Sequence, residues 1–281
     1  MLKNRKTPAS RLFQAFMYLM LVFTVVVSVY PILWVIFSSF KSNAAILSSP
    51  FSLPDTFNFK AYVSVLNQYS FGLYGFNSLL IASLSTALSL LFFSMSAYVF
   101  AKFRFPLKNL IYVLFTITLL VPGHTKTQPI FSLIMSLNLY DTKTGLGLVY
   151  LSGGVAMSMF ILRATFMSVP MELNEAAEID GAGFTRTFLQ INLPLAKNGL
   201  TTAGVLMFLG NWNEYYYAAL LTASPANRTL PVALGFFNQA FSYDYTRMFA
   251  ALTLVILPGI IIYMFAQGQV QASVSSTGIK G

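Results

Sequence analysis

Residues 12–40 contain no charged side chain, a run longer than the roughly 20 apolar residues that take a helix across the hydrocarbon layer of a bilayer. A soluble core cannot absorb several such runs, because most side chains of a small globule still face water. Composition agrees: 56% of the residues are hydrophobic and 9% are charged, the balance of a membrane protein. The basic cluster ahead of the run, Lys3, Arg5, Lys6 and Arg11, superficially resembles a secretory leader. The apolar stretch is much too long for a leader and shows no small-residue cleavage site, so it is read as a retained first span.

Six runs qualify as spans: 13–37, 76–101, 107–121 with an extension toward 130, 147–164, 199–221 and 248–267. The third is interrupted by Pro122, Gly123 and Pro129, and the fifth by Gly210 and the polar run Asn211-Trp212-Asn213-Glu214. The expected fold is an all-α integral-membrane bundle of six helices, one domain over 1–281. With the N-terminus inside, eleven of the 17 Lys and Arg residues fall in inner segments, and Lys41, Lys60, Lys126, Lys143, Arg228 and Arg247 fall in outer ones. That asymmetry is the positive-inside pattern. Both termini are then cytoplasmic, 38–73 is a long outer loop, and 168–197 lies in the longest inner one.

The net charge of +9 would suit nucleic acid, but the basic residues sit between apolar runs rather than in a stripe, as membrane anchors do. No nucleic-acid partner is expected. The chain has no cysteine and one histidine, His124, which excludes a thiolate metal site, a thiol nucleophile and an imidazole cluster. No metal and no catalytic residue is assigned, and no internal repeat of the kind found in secondary transporters is visible.

The inner loop holds four of the chain's eight acidic residues: Glu172, Glu175, Glu178 and Asp180. Pro170 suits a first helical turn, Glu172 sits where the helix dipole favours an anion, and Asp180-Gly181 makes a good stop. Two short helices with a tight turn between them are expected. Leu173, Ala176 and Ala177 share a face on the first, where two alanines allow a close approach by another surface.

At these residues the sequence resembles the permease subunits of binding-protein-dependent ABC importers, whose cytoplasmic signature is Glu-Ala-Ala, three residues, Gly, nine residues, then Ile-x-Leu-Pro. Glu175, Ala176, Ala177, Gly181, Ile191, Leu193 and Pro194 stand at that spacing. Within the family the chain is similar to the second permease of maltose-type sugar importers. Supporting pieces are Asn77-Ser78-Leu79, Ala97-Tyr98 before Lys102 and Arg104, Pro122 with Pro129, Trp212-Asn213, and Gly278-Ile279-Lys280-Gly281. Glu214 stands where relatives often carry Asp. The resemblance implies a coupling helix over 170–179 that docks on a cytoplasmic ATPase. It also implies a second homologous permease, two ATPase subunits, an extracytoplasmic sugar-binding protein and a bacterial-type cytoplasmic membrane. No Gly-x-x-x-x-Gly-Lys-Ser/Thr loop occurs; ATP and its Mg belong to the partner ATPase, this chain carries no cofactor, and it is not itself an enzyme.

Polar groups inside a span are costly unless they face a bundle or a wet path. Asn77, Trp212, Asn213, Glu214 and Tyr215 are therefore candidates for a sugar path, with Trp212 able to stack on a pyranose ring. The alternative for Trp212 is an aromatic belt with Tyr215, Tyr216 and Tyr217, and for Asn77 the polar end of its span. The rival class is an ion-gradient-driven secondary carrier, for which Glu214 is the plausible coupling carboxylate.

Overall fold

The computed structural model describes residues 8–68, 70–240 and 243–278. Lys3, Arg5 and Lys6 lie outside the described residues, as do Ile279, Lys280 and Gly281 of the terminal motif. The described elements are helices: α1 (Pro8–Ser38), α2 (Asn43–Ser48), α3 (Lys60–Gln68), α4 (Phe71–Lys102), α5 (Lys108–Ile117), α6 (Thr127–Ser136), α7 (Lys143–Gly153) and α8 (Val155–Ser168). They continue with α9 (Glu172–Ile179), α10 (Phe184–Thr187), α11 (Leu193–Leu195), α12 (Lys197–Trp212), α13 (Tyr216–Leu221), α14 (Leu230–Ala240) and α15 (Tyr245–Gly278). An all-helical chain is what lipid imposes, since a helix satisfies its backbone groups within the segment.

The described residues among 8–68 and 237–254 form one compact unit. Most of α1 exposes Leu, Phe, Val and Met on every side, the surface of a helix whose cover is lipid or another membrane chain. Beyond its end Lys41 is 4% exposed, and its ammonium donates to the carbonyls of Ser49 at 2.6 Å, Ser52 at 3.0 Å and Pro50 at 3.3 Å. Trp34 donates its indole N–H to the Pro50 carbonyl at 2.8 Å and meets Phe249 edge-on at 5.0 Å. Phe40 gathers Phe57, Phe59 and Tyr62 around it. The segment expected to lie outside, described here from Ser38 to Gln68, is thus folded, with α2 and α3 inside it.

Residues 70–236 and 255–278 form the second unit, with α4 as its post; α7, α8 and α12 pack on it. Serines on α4 donate across the interface, Ser85 to the Gly147 carbonyl and Ser89 to the Leu151 carbonyl, both at 2.9 Å. Small hydroxyl residues let membrane helices approach and hydrogen-bond. Gly199 serves the same end where α12 meets α8: a Cβ there would stand 2.1 Å from Thr165 Oγ1. Two apolar cores lie about four to five turns apart along α4. One gathers Ile81, Leu146, Tyr150 and Leu221; the other gathers Tyr98, Phe100, Met159 and Phe188.

The segments expected to be spans take different forms. Residues 10–38, α4 and residues 245–268 are single helices long and apolar enough to cross a bilayer. The expected span 147–164 is a bent pair, α7 and α8, meeting at 47° over Gly153-Gly154. Expected span 107–121 encloses a break: α5 ends at Ile117, Pro122 leads into a 3-10 turn over Gly123–Lys126, and α6 begins at Thr127. Expected span 199–221 also encloses one, with α12 ending at Trp212 and α13 beginning at Tyr216. Proline and glycine weaken the first of these stretches; polar side chains that bond elsewhere divert the second.

Candidate functional site

The loop carrying the Glu-Ala-Ala motif folds as a short helix with a glycine stop. Pro170 lies just ahead of α9 rather than in its first turn, so the expected start at 170 moves to Glu172. At the other end Gly181 has φ +77°, a region costly to any residue with a Cβ. The Gly181 N–H donates to the Glu178 carbonyl at 3.0 Å and the Ala182 N–H to the Ala177 carbonyl at 2.8 Å. These paired bonds close the helix as a Schellman motif.

The face expected to hold Leu173, Ala176 and Ala177 together is divided. Leu173 and Ala176 are exposed, with Glu172, Glu175, Glu178 and Asp180, whereas Ala177 is 5% exposed and turned inward with Asn174. The reason is geometric: residues 174 and 177 lie on the α9 stripe that rests on the chain, and position 176 is about 100° away from 177. The outward surface is therefore acidic, with Leu173 and Ala176 between the carboxylates.

Behind α9 the chain runs through α10 into a widened turn, Phe188–Asn192, in which the Leu193 N–H reaches back five residues to the Phe188 carbonyl. Pro194 follows. It has no N–H and its ring crowds the preceding turn, and one extra residue in that turn relieves the conflict. Ile191 and Leu193 are half-buried there, while Pro194 is exposed. Tyr98 of α4 packs on Phe166, Phe184 and Phe188, and Lys102 donates to the Val169 carbonyl. Asn192 is fully buried and donates Nδ2 to Asn174 Oδ1 at 2.7 Å and to the Thr187 carbonyl at 3.2 Å. Sequence reasoning singled out neither asparagine. Eighteen residues separate them, and the widened turn shifts the helical register that would have paired them.

A cavity of about 560 Å³ opens where the three interrupted helices break. Its wall takes Thr118, Gly123 and Lys126 from the first break, Gly153 and Gly154 from the bend, and Gly210, Asn211 and Glu214 from the third, with Leu206 and Met207 of α12. The breaks are tied together. Tyr217 donates its hydroxyl to the Gly123 carbonyl at 3.0 Å, the Tyr216 hydroxyl lies 3.1 Å from Thr127 Oγ1, and His124 meets the Tyr216 ring at 4.7 Å. Broken helices inside a membrane chain are tolerated where they line a cavity. The helix interruptions flagged in the sequence were the available signal; Lys126 and Gly153-Gly154 were not recognised from it.

Of the five expected path residues, Glu214 alone lines this cavity. Its carboxylate is already engaged: Oε1 accepts from the Tyr217 N–H at 2.8 Å, and Oε2 from the Ala218 N–H at 2.9 Å and the Tyr150 hydroxyl at 3.1 Å. It caps α13. Trp212 is 3% exposed, stacks on Phe208 at 5.9 Å and donates its indole N–H to the Val255 carbonyl at 3.1 Å. Within this chain α15 takes its polar edge and Phe208 packs on its ring. Asn77 is fully buried and donates to the Ala226 and Arg228 carbonyls, both at 2.9 Å; it is the polar end of the span, stapling α4 to the loop before α14. Asn213 is exposed and bonds back to the Leu209 carbonyl at 2.9 Å, and the Tyr215 ring lies against Gly235.

Near the α6–α7 turn Asp141 braces the loop after α13. Its Oδ1 accepts from the Ala223 N–H at 2.9 Å and the Ser224 N–H at 3.0 Å. Partial desolvation acts against its ionisation, but the bonds from Ser224, Ala223 and Asn227 outweigh it and hold the carboxyl below the usual aspartate range.

Residues 91–276 match the family described as "Binding-protein-dependent transport system inner membrane component". The chain is 35% identical over 269 residues to the diacetylchitobiose uptake system permease protein of Streptomyces coelicolor, covering 95% of this chain and 89% of that one. It is 30% identical over 269 residues, 95% of each chain, to the galactooligosaccharides transport system permease protein of Bacillus subtilis. A chain of a crystallised bacterial ABC transporter involved in the import of the acidic polysaccharide alginate superposes with a TM-score of 0.81 at 25% identity, over 93% of this chain and 98% of that one. The chain belongs to the family of binding-protein-dependent transport system inner membrane components.

Proposed function

We propose that this chain is the membrane-spanning subunit of an ATP-driven importer of saccharides, one wall of the translocation path, driven from the cytoplasm through α9. One observation carries the reading: the exposed acidic helix α9 is hydrogen-bonded through Asn174 to Asn192, and the chain from Asn192 runs through α11 into α12, which forms part of the cavity wall. A push on α9 has a short packed route to the place where solute would pass. The relatives named above support saccharide as the solute. A cavity of about 560 Å³ falls in the roughly 300–1,000 Å³ range of small-molecule sites.

In this reading the chain crosses the cytoplasmic membrane six times with both termini inside, segments three to five being broken or bent spans. Residues 38–73 face outward, where a sugar-loaded binding protein is received, and 168–197 face the cytoplasm. Glu172, Leu173, Glu175, Ala176 and Asp180 meet the ATPase, Gly181 ends the helix that presents them, and Ala177, Ile191, Leu193 and Pro194 seat it. ATP and Mg act on two ATPase subunits, and a second permease supplies the opposite wall. An ion-gradient carrier is disfavoured because Glu214, the carboxylate it would have used, is occupied in capping α13.

The test is reconstitution with the partners that co-purify with this chain in mild detergent. Glu175→Lys is expected to abolish transport-linked ATP hydrolysis while membrane insertion persists. Undiminished sugar uptake by that variant refutes the coupling role.

A further inference from the structure

We infer that the amide pair Asn174–Asn192 is a positioning device that makes α9 and the widened turn before α12 move as one body. The inference rests on the coupling role proposed above and names the residues that transmit the motion. Asn174 is 8% exposed and Asn192 fully buried, so water does not compete for their 2.7 Å bond. The second Asn192 N–H holds the Thr187 carbonyl, so one side chain clamps α9 and both ends of the turn. From there the path is continuous backbone: the Ala196 N–H donates to the Asn192 carbonyl at 2.9 Å and the Leu200 N–H to the Ala196 carbonyl at 3.0 Å, within two turns of Met207 on the cavity wall.

Stability alone does not explain the pair. Asn192 Oδ1 is buried with no hydrogen-bond partner, and a half-satisfied buried amide is worse for stability than two apolar side chains of the same shape. What a directional buried bond supplies, and an apolar contact does not, is a single register between two elements. Without it α9 rests on the small face of Ala177 and is free to slide when pushed.

The experiment uses the full importer in proteoliposomes and reads saccharide moved per ATP hydrolysed. Asn174→Ala and Asn192→Ala are expected to keep hydrolysing ATP while that ratio drops roughly threefold to tenfold, the factor set by loss of one buried hydrogen bond. Because the chain has no cysteine, Asn174→Cys/Asn192→Cys introduces the only two thiols of this subunit, to be bridged by a short bis-thiosulfonate in an importer whose other subunits have been made cysteine-free. Bridging is expected to restore the wild-type ratio, and the unbridged form to behave like the alanine variants. Bridged and unbridged forms are the same assembled protein, so a folding defect in the alanine variants does not blunt the test. An unchanged ratio without the pair, or a bridged importer that hydrolyses ATP and moves no sugar, overturns the inference. Glu175→Lys run in parallel separates the two claims: full uptake there removes the coupling reading whatever the pair does.

Discussion

Gly181 offers a prediction whose magnitude follows from backbone geometry alone. Its φ is +77°, and a Cβ built on it meets nothing within 4 Å, so substitution is resisted by conformation and not by crowding within this chain. Holding an alanine in the left-handed region costs about 1–2 kcal/mol, a factor of about 5–30 in the balance between the closed and opened end of α9. Asparagine tolerates that region better than alanine. Proline cannot reach it, because its ring fixes φ near −65° and removes the N–H that bonds the Glu178 carbonyl. Transport-linked ATP hydrolysis by the reconstituted importer is therefore expected to rank Gly181 above Gly181→Asn, that above Gly181→Ala, and Gly181→Pro last. Co-purification with the ATPase in mild detergent checks assembly. The competing cause for a glycine here is close approach by the partner surface, which would favour the smaller side chain. A result in which alanine outperforms asparagine refutes the backbone argument.

Three further outcomes are expected. Trp212→Phe removes the donor to the Val255 carbonyl and should lower thermal stability by about 1–2 kcal/mol while leaving the half-saturating sugar concentration unchanged; a shift in that concentration would return Trp212 to the sugar path. Asn77→Ala removes a fully buried amide that donates to the Ala226 and Arg228 carbonyls and should cost about 1–3 kcal/mol, read as a lower melting temperature in detergent with α4 still inserted. Asp141, whose folded pKa is depressed, contributes stability that is present above its unfolded pKa and lost as pH falls through the lower folded value; Asp141→Asn should flatten that acid limb of the unfolding profile, and an unaltered limb counts against the brace.

The sequence revealed chemistry better than contact. The stop at Gly181 was legible because a left-handed terminus selects glycine, and the interruptions of the third and fifth spans were legible because Pro122, Gly123 and the Asn-Trp-Asn-Glu run are foreign to an unbroken apolar helix. The bend at Gly153-Gly154 was not, since two glycines inside an apolar stretch also occur at close helix contacts. Ala177 was placed on the wrong face because a helix of two turns has no periodicity to orient it; its burial is decided by what lies beneath. Glu214 and Trp212 stood out in the sequence because each is polar within a span; their partners, the start of α13 and the Val255 carbonyl 43 residues on, exist only in three dimensions.

Lys41 carries a consequence for mapping which parts of the chain face outward. Its ammonium is buried in a ring of three carbonyl oxygens, so an amine-acylating reagent added to whole cells would find it shielded. On the topology proposed above, a labelling survey would score it with the cytoplasmic lysines and move its loop to the wrong compartment, an error avoided by probing engineered cysteines at Leu53 or Phe59, whose side chains are exposed.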